Sequence, residues 1–192
     1  QIENALSGPG REVSVSGFQG ALSGRATLGR MTFADADGVW LTLEDAVLDW
    51  NRAALLRGRL SVNTLSADRI AIDRRPLPAP DDGLPEPPRP EASGFSLPEL
   101  PVTVNIEELE VARLELGAPV IGEAADFTLG GSVRLEGGEG AVDIALDRLG
   151  GPEDTIALAA SFDNDSRVLA LDLTVREGAG SLAGTLLGIP GA

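Results

Sequence analysis

The sequence predicts an all-β protein: a curled antiparallel β-sheet that forms an open apolar groove, with one or two very short helices. Three observations support this fold class. Apolar and polar residues alternate with a period of two along much of the chain. Glycine accounts for 24 of 192 residues, well above its usual share of about 7%, which indicates many turns. No long segment shows the helical period.

The second half of the chain carries the clearest alternation. The connections between its apolar runs are GGEG, LGGPED and DNDS, which are typical of hairpin turns. Four consecutive antiparallel strands are therefore predicted, with apolar residues of one face within 127–135, 142–146, 156–162 and 169–175.

The first half shows shorter and noisier runs. Two strands are predicted from Leu60, Val62 and Leu65 and from Ile70 and Ile72, and a short helical turn capped by Asn51 lies before them. Three-residue steps in the apolar pattern of 102–116 predict bulges or tight reversals. The total is about ten to twelve strands, and residues 181–188 are predicted as a second short helix.

Prolines divide the chain into segments. Nine of the 13 prolines lie between Pro76 and Pro101, and proline cannot donate ladder hydrogen bonds. We therefore expect residues 1–75 to form one β-groove segment, residues 76–96 an exposed mobile loop, and residues 97–192 a continuing antiparallel β-groove segment. A polyproline ligand for a partner domain is the alternative interpretation of the loop.

Composition excludes several classes of function. The chain has no Cys, no His and no Lys, and its formal net charge is -15. Without Cys and His there is no disulfide framework, no zinc ribbon and no serine–histidine–aspartate triad. The acidic charge argues against nucleic-acid binding. We therefore expect a protein that is not an enzyme and that has no metal or cofactor.

Several residue patterns match chemical sites only in part. The Gly178–Ala183 stretch fits G-x-G-x-x-A but lacks the parallel βαβ context of a dinucleotide site. The triplet at 163–165 is predicted to be a hairpin turn rather than a calcium loop. Glu107 and Glu108, as adjacent strand residues, are expected on opposite faces. Trp40 and Trp50 share a face by parity and could mark a lipid interface, although ordinary packing is the favoured interpretation.

The alternating strands present a continuous apolar face that needs a cover. If the large apolar side chains of the last four strands stayed in water, the chain would lose about 20–40 kcal/mol of burial free energy, at roughly 1.5–3 kcal/mol for each side chain. A second sheet in a β-sandwich, the same sheet curled onto itself, or an apolar ligand are the three possible covers. The candidate groove-lining residues are Leu41, Leu43, Val47, Leu60, Val62, Ile70, Ile72, Val102, Val104, Ile106, Phe127, Leu129, Val133, Leu135, Val142, Ile144, Leu146, Ile156, Leu158, Phe162, Leu169, Leu171, Leu173 and Val175.

Motifs along nearly the whole chain carry a family resemblance. They include G-F-x-G-x-L-S at 17–23, D-G-V-W-L-T-L-E-D-A-V-L-D-W at 37–50, A-L-L-R-G-R-L at 54–60, L-P-V-T-V-N-I-E-E-L-E-V at 100–111 and L-D-L-T-V-R-E at 171–177. With the start I-E-N-x-L-S, this pattern resembles the amino-terminal periplasmic region of the TamB family, within the AsmA-like, bridge-like lipid transfer proteins.

The resemblance implies a function and a location. It implies a β-groove whose lining holds phospholipid acyl chains, in a periplasmic protein anchored in the inner membrane by a helix upstream of Gln1. The conduit would pass phospholipids toward the outer membrane and meet the barrel TamA through a distal end absent from this sequence. The alternative is a scaffold or chaperone that, with TamA, assembles outer-membrane proteins such as autotransporters by sheet-edge pairing. The open edges of the fragment are also expected to allow self-association.

Overall fold

The described strands form one nine-stranded sheet. The computed structural model describes residues 12–20, 24–77, 103–151 and 154–176. The strands are β1 (Glu12–Ser16), β2 (Arg25–Asp35), β3 (Gly38–Asn51), β4 (Arg59–Ile72), β5 (Thr103–Leu116), β6 (Ala125–Glu136), β7 (Glu139–Leu149), β8 (Thr155–Asp163) and β9 (Leu169–Arg176). They lie in the sheet in chain order. The all-β prediction is confirmed, with fewer strands than expected in this part of the chain.

The sheet is mixed rather than wholly antiparallel. Every neighbouring pair is antiparallel except β4 and β5, which run parallel from Arg59 paired with Thr103 to Ile72 paired with Leu116. The prediction of an antiparallel sheet is wrong at this pair. The residues between the two strands include the proline-rich stretch, and a parallel pair needs a connection of at least a dozen residues. The sheet is open, because β1 and β9 occupy its two edges.

The predicted four-strand meander is confirmed as β6 to β9. The turn between β6 and β7 consists of Gly137 and Gly138, both with positive φ (56° and 85°). Two consecutive positive φ values match the twist of a tight hairpin, and glycine adopts them without strain. Between β8 and β9, the Ser166 amide donates to Asp163 Oδ1 over 2.6 Å. The 163–165 triplet is therefore part of a hairpin turn, as predicted.

The phase slips in the sequence are bulges inside long strands. Strand β4 is one strand of 14 residues where two strands were predicted. Its apolar pattern slips at Asn63 and Asp68, which lie outside the pairing with β5 opposite Glu107 and Ala112, while the register between the two strands stays constant. The pattern of β5 slips at the same levels, with register shifts against β6. These irregularities let both strands continue without turning their apolar residues to the other face.

Two one-turn helices lie at the ends of strands. Helix α1 (Arg52–Leu55) follows β3, with Asn51 at its N-cap position but without the predicted side-chain capping hydrogen bond. Helix α2 (Ala118–Ile121) lies between β5 and β6. The helix predicted at 181–188 and most of the loop predicted at 76–96 lie outside the described residues.

The buried core lies on one side of the central strands. Val111, Leu114, Ala125 and Phe127 form its most buried cluster. The partly buried side chains packed against it come from β4 to β7 and from α2, which contributes Ile121. All described strands belong to a single sheet, so no second sheet covers this cluster within the described ranges.

Ion pairs link neighbouring strands on the face of the sheet opposite the buried core, and another ion pair lies at one end of the sheet. Arg69 on β4 bridges Glu44 on β3 and Glu115 on β5, with N–O distances of 3.1 and 2.6 Å. Past the end of β4, Arg74 donates to both carboxylate oxygens of Asp35, at 2.6 and 2.9 Å. The Arg74 hydrogen bond holds the pKa of Asp35 well below its usual range, and Arg69 lowers the pKa of Glu115.

These lowered pKa values predict loss of stability in acid. A carboxyl whose pKa is depressed on folding stabilises the protein fully above its unfolded pKa of about 4, and loses that contribution as pH falls through the folded value. We expect the denaturant midpoint to drop between about pH 4 and pH 2. Asp35→Asn should be less stable than the parent at pH 7, and the difference should shrink toward pH 2. A difference that stays constant over this range would contradict the assignment.

Candidate functional site

The strand register collects apolar residues into rows on one face of the sheet. Residues in register on neighbouring strands share a face. One row joins Leu43, Ile70, Leu114 and Phe127 from β3 to β6. Another continues the face from β5 to β9 and consists of Val111, Leu129, Leu146, Ile156 and Val175. We call the face that bears these rows the apolar face.

The described candidate residues lie on the apolar face with one exception. Val47 pairs with Thr27 on β2 and Ser66 on β4, and its neighbours Ala46 and Leu48 occupy the apolar rows. Val47 therefore lies on the opposite, polar face, and its prediction as a lining residue is wrong. The cause is Asp45, which has a φ of +48° and shifts the alternation by one residue. Val102 lies outside the described residues.

The register adds apolar-face residues that the sequence analysis did not assign to the lining. Most of those on β3 to β5 follow steps of three residues in the apolar pattern. The steps at 28 to 31, 43 to 46, 67 to 70 and 111 to 114 are aligned at one level across β2 to β5. Because the steps are aligned, neighbouring strands keep their apolar residues on the same face. Three-residue steps that recur along the sequence were the signal from which these residues could have been predicted. The added residues are Val13, Val15, Ala26, Leu28, Met31, Phe33, Ala46, Leu48, Trp50, Leu65, Ala67, Leu109, Val111, Leu114, Leu116, Ala125 and Ala160.

Exposure of the apolar face rises from the centre of the sheet to the β9 edge. Phe127 on β6 is 2% exposed and Val111 on β5 is 4% exposed. On β9, Leu171 and Leu173 are 63% and 58% exposed. The apolar face is thus well covered by its own side chains at β5 and β6 and remains open to solvent at β9.

A shallow apolar cavity of about 290 Å³ lies on this face at β6 to β9. Gly140 pairs with Leu135 on one side and Phe162 on the other. Because glycine has no side chain, the row is interrupted between these two large residues, and Val142 and Leu169 complete the apolar wall. The volume is at the lower edge of the range of small-molecule pockets, about 300–1,000 Å³.

Gly131 on the apolar face of β6 has no space for a side chain. A Cβ added there would lie 2.3 Å from the Asp143 carbonyl oxygen, whereas one added at the adjacent Gly130 would meet nothing within 4 Å. We expect Gly131→Ala to destabilise the fold by about 1–3 kcal/mol through overpacking. Gly130→Ala is the matched control and should be neutral or slightly stabilising. Equal denaturant midpoints for the two variants would contradict this close approach.

A partly buried ion-pair cluster lies at one end of the apolar face. Arg148 is in register with Phe127, yet its guanidinium donates to Asp154 at 3.0 Å and to Glu123 at 2.8 Å. These carboxylates raise the pKa of Arg148, with the Asp154 hydrogen bond as the main cause. Its charge is therefore neutralised within the chain, so Arg148 ends the apolar rows without leaving a free cation there.

The polar face holds a depression of about 470 Å³. Arg134, Glu136 and Asp163 are among its lining residues. Arg134 donates to Glu136 at 2.6 Å, and this contact lowers the pKa of Glu136. Paired charges of this kind suit hydrated polar groups rather than hydrocarbon.

Comparison of the chain with protein-family models, curated proteins and solved structures found no match.

The structure corrects the expected placement of Glu107 and Glu108. Their predicted separation onto opposite faces is wrong, since the register shift between Ile106 and Leu109 leaves both outside the apolar rows. Glu108 accepts a hydrogen bond from Thr64 at 3.0 Å, and Glu107 lies 3.4 Å from the Asn105 amide nitrogen.

Within the described residues, no group of three or more His, Cys, Asp or Glu is placed to hold a metal ion.

The two tryptophans both lie at the apolar face. Trp50 pairs with Val62 in the apolar rows. Trp40 falls at the irregularity between Phe33 and Ala34, and its ring centroid is 5.8 Å from that of Phe33. The parity on which the shared face was predicted does not apply, because the alternation is broken at Trp40 and at Asp45. Trp40 packs against an aromatic neighbour, as the favoured interpretation expected. No helix in the described part of the chain is long and apolar enough to span a membrane.

Proposed function

We propose that this chain is a segment of a lipid conduit, in which the apolar face curves into a groove that holds phospholipid acyl chains. The observation that carries the proposal is the set of apolar rows, which together reach all nine described strands and are interrupted only at glycines and at Arg148. No residue needs to react. Weak, non-directional apolar contacts suit a cargo that slides better than one that is bound at a fixed position.

Burial in the centre of the sheet supports a curved face. Side chains on one face of a flat single sheet would remain open to water, yet Phe127 and Val111 are almost fully buried. The residues packed around them come from the same face of neighbouring strands and from α2. Curvature toward the apolar face brings such neighbours together, which favours a groove over a flat sheet.

The dimensions suit acyl chains. Nine strands spaced about 4.8 Å apart extend about 38 Å along the stacking direction. One leaflet of a bilayer has a hydrocarbon thickness of about 15 Å, half of the roughly 30 Å core. The apolar face is therefore longer than a single lipid tail. Within the described residues its last strand is β9, whose exposed leucines would let a further strand continue the groove.

The resemblance to the TamB family gives the proposal its cellular setting. The conduit would lie in the periplasm, anchored in the inner membrane by a helix upstream, and would pass phospholipids toward the outer membrane and the barrel TamA. The net charge of -15 would keep the outer surface hydrated and would repel it from anionic membrane surfaces.

A second function is favoured by the β9 edge. In the described residues β9 pairs only with β8, and its Leu169, Leu171 and Leu173 are exposed. An open edge of this kind can add a strand from a partner. A scaffold that assembles outer-membrane proteins with TamA would use this edge, and the edge could also pair with a second copy of the chain.

Mass spectrometry of lipid extracted from the purified chain tests the conduit. We expect phospholipid to co-purify and to be displaced by a fluorescent fatty acid added in excess. A lipid-free preparation that also fails to bind the fatty acid would overturn the conduit. Cross-links from β9 to strands of an outer-membrane protein, in that lipid-free protein, would instead support the scaffold.

A further inference from the structure

One corner of the sheet is basic in an otherwise acidic chain. It comprises the end of β3, helix α1 and the start of β4, residues 50–59, and we call it the basic corner. It contains Arg52, Arg57 and Arg59, and residues 50–67 contain no Asp or Glu. All three arginines are exposed. The charge of residues 50–59 is therefore opposite in sign to the net charge of -15, and the nearest acidic neighbour from another strand is Glu136, which faces Arg59.

The same corner exposes large apolar side chains. Leu56 is 91% exposed and Leu55 is 42% exposed. Phe18, in the connection between β1 and β2, is also 42% exposed. That connection lies beside the end of β3, where the Trp50 amide donates to the Gly24 carbonyl at 2.8 Å. Leucines beside arginines at an exposed tip form an amphipathic surface.

The geometry of the tip holds Leu56 outward. Ala54 is buried and anchors the short helix to the sheet. The amides of Arg57 and Gly58 donate to the carbonyls of Ala54 and Leu55, at 2.9 and 3.0 Å. Gly58 has a φ of +70°, which closes the turn into β4. The exposure of Leu56 thus follows from a hydrogen-bonded turn.

We propose that the basic corner docks on an anionic phospholipid bilayer, with Leu55 and Leu56 inserted between the headgroups and the arginines against the phosphates. Arginine binds phosphate through charge-assisted hydrogen bonds, and leucines beside basic residues are typical of interfacial membrane anchors. Elsewhere at the same end of the sheet, Glu139 and Asp163 are acidic and would be repelled. This charge contrast orients the chain with the basic corner toward the membrane.

The docking proposal goes beyond the proposed function and does not depend on it. It needs the exposure and the charge of the corner, and no lipid within the groove. Membrane docking and lipid carriage are compatible, because Trp50 and Leu60 belong to the apolar rows and adjoin α1. A lipid leaving a docked bilayer would meet the apolar face at these two residues.

Vesicle flotation of the chain tests the docking surface. We expect binding to vesicles of phosphatidylglycerol and phosphatidylcholine, weak binding to pure phosphatidylcholine, and release by 1 M salt, where the screening length falls to about 3 Å. Leu56→Ser should weaken binding about tenfold. Arg57→Gln should weaken it about fivefold, as expected for one basic residue at an anionic surface.

Matched controls come from the β8–β9 turn at the same end of the sheet. Arg167 and Val168 are an exposed basic and apolar pair outside the basic corner, with Val168 60% exposed. Arg167→Gln and Val168→Ser should bind vesicles like the parent. Equal flotation of Leu56→Ser and the parent, or equal binding to neutral vesicles, would overturn the proposal. Retention on immobilised polyglutamate without flotation would overturn it in favour of an acidic protein partner.

The outcomes separate docking from lipid carriage. If both proposals hold, Leu56→Ser loses flotation and keeps its co-purified phospholipid. Flotation of a lipid-free parent chain, lost in Leu56→Ser, would support docking while the conduit fails. Co-purified phospholipid in a parent chain that does not float would overturn docking alone.

Discussion

Ile144→Asp is expected to abolish co-purification of phospholipid and to weaken fatty-acid binding by about tenfold to a hundredfold. Ile144 lies in a row with Gly131 and Leu158, in the middle of the apolar face. The substitution removes apolar contact worth about 1.5–3 kcal/mol and places a carboxylate where a hydrocarbon chain would lie. Lipid mass spectrometry and fluorescent fatty-acid titration measure the effect.

The matched control is Ala145→Asp, which introduces the same charge one residue along β7. Ala145 pairs with Gly130 and Ala157 on the polar face, so its carboxylate would not enter the groove. We expect lipid content close to that of the parent. Circular dichroism establishes that both variants retain the strand content of the parent.

A second variant covers the case in which Ile144→Asp fails to fold. Leu171 on β9 is 63% exposed, so Leu171→Arg places a charge on the apolar face without burying it. Ala170→Arg is its control on the polar face. Normal lipid content in a folded Leu171→Arg or Ile144→Asp variant would contradict acyl-chain binding on this face.

Local patterns were enough to predict the second half of the sheet. From β6 to β9 the apolar residues alternate strictly, and glycine-rich or Asx-rich turns separate them. Turn chemistry fixes both the direction and the register of a hairpin. The order and the antiparallel direction of these four strands therefore followed from the sequence.

The direction of β5 could not be predicted in the same way. Its neighbour β4 is separated from it by the proline-rich stretch, which carries no turn signal that fixes whether the chain returns antiparallel or parallel. The alternation of side chains is the same in parallel and antiparallel strands, so it carries no information on direction. The direction of β5 was therefore predicted wrongly.

The lining was mispredicted where a bulge shifts the alternation. Val47 has the parity of Leu41 and Leu43, but the left-handed conformation of Asp45 reverses it. Asp is among the residues that adopt this conformation most readily. A single residue such as Asp45 gives little indication of a bulge in the sequence. Three-residue steps that recur on neighbouring strands indicate a bulge clearly.

Phe127→Ala is expected to cost about 3–5 kcal/mol of unfolding free energy, the range for a fully buried Phe. Phe127 is 2% exposed and is the largest member of the buried cluster. Its loss leaves a cavity that Leu114 on β5 and Leu146 on β7 cannot fill without moving their strands. Denaturant unfolding of the two proteins measures the difference.

Phe18→Ala is the control for this substitution, because the same side chain is removed from a site that is 42% exposed. We expect a change within about 0.5 kcal/mol, as for surface positions without special contacts.

The cost of Phe127→Ala also tests what covers the apolar face. If bound lipid supplied most of the cover at β6, removing the lipid would expose Phe127 and reduce the cost of its truncation. If the neighbouring side chains and α2 supply it, the cost stays at 3–5 kcal/mol in the lipid-free protein. The packing of Ile70, Ile121 and Leu129 around Phe127 favours the second outcome, and a cost below about 1 kcal/mol in lipid-free protein would contradict it.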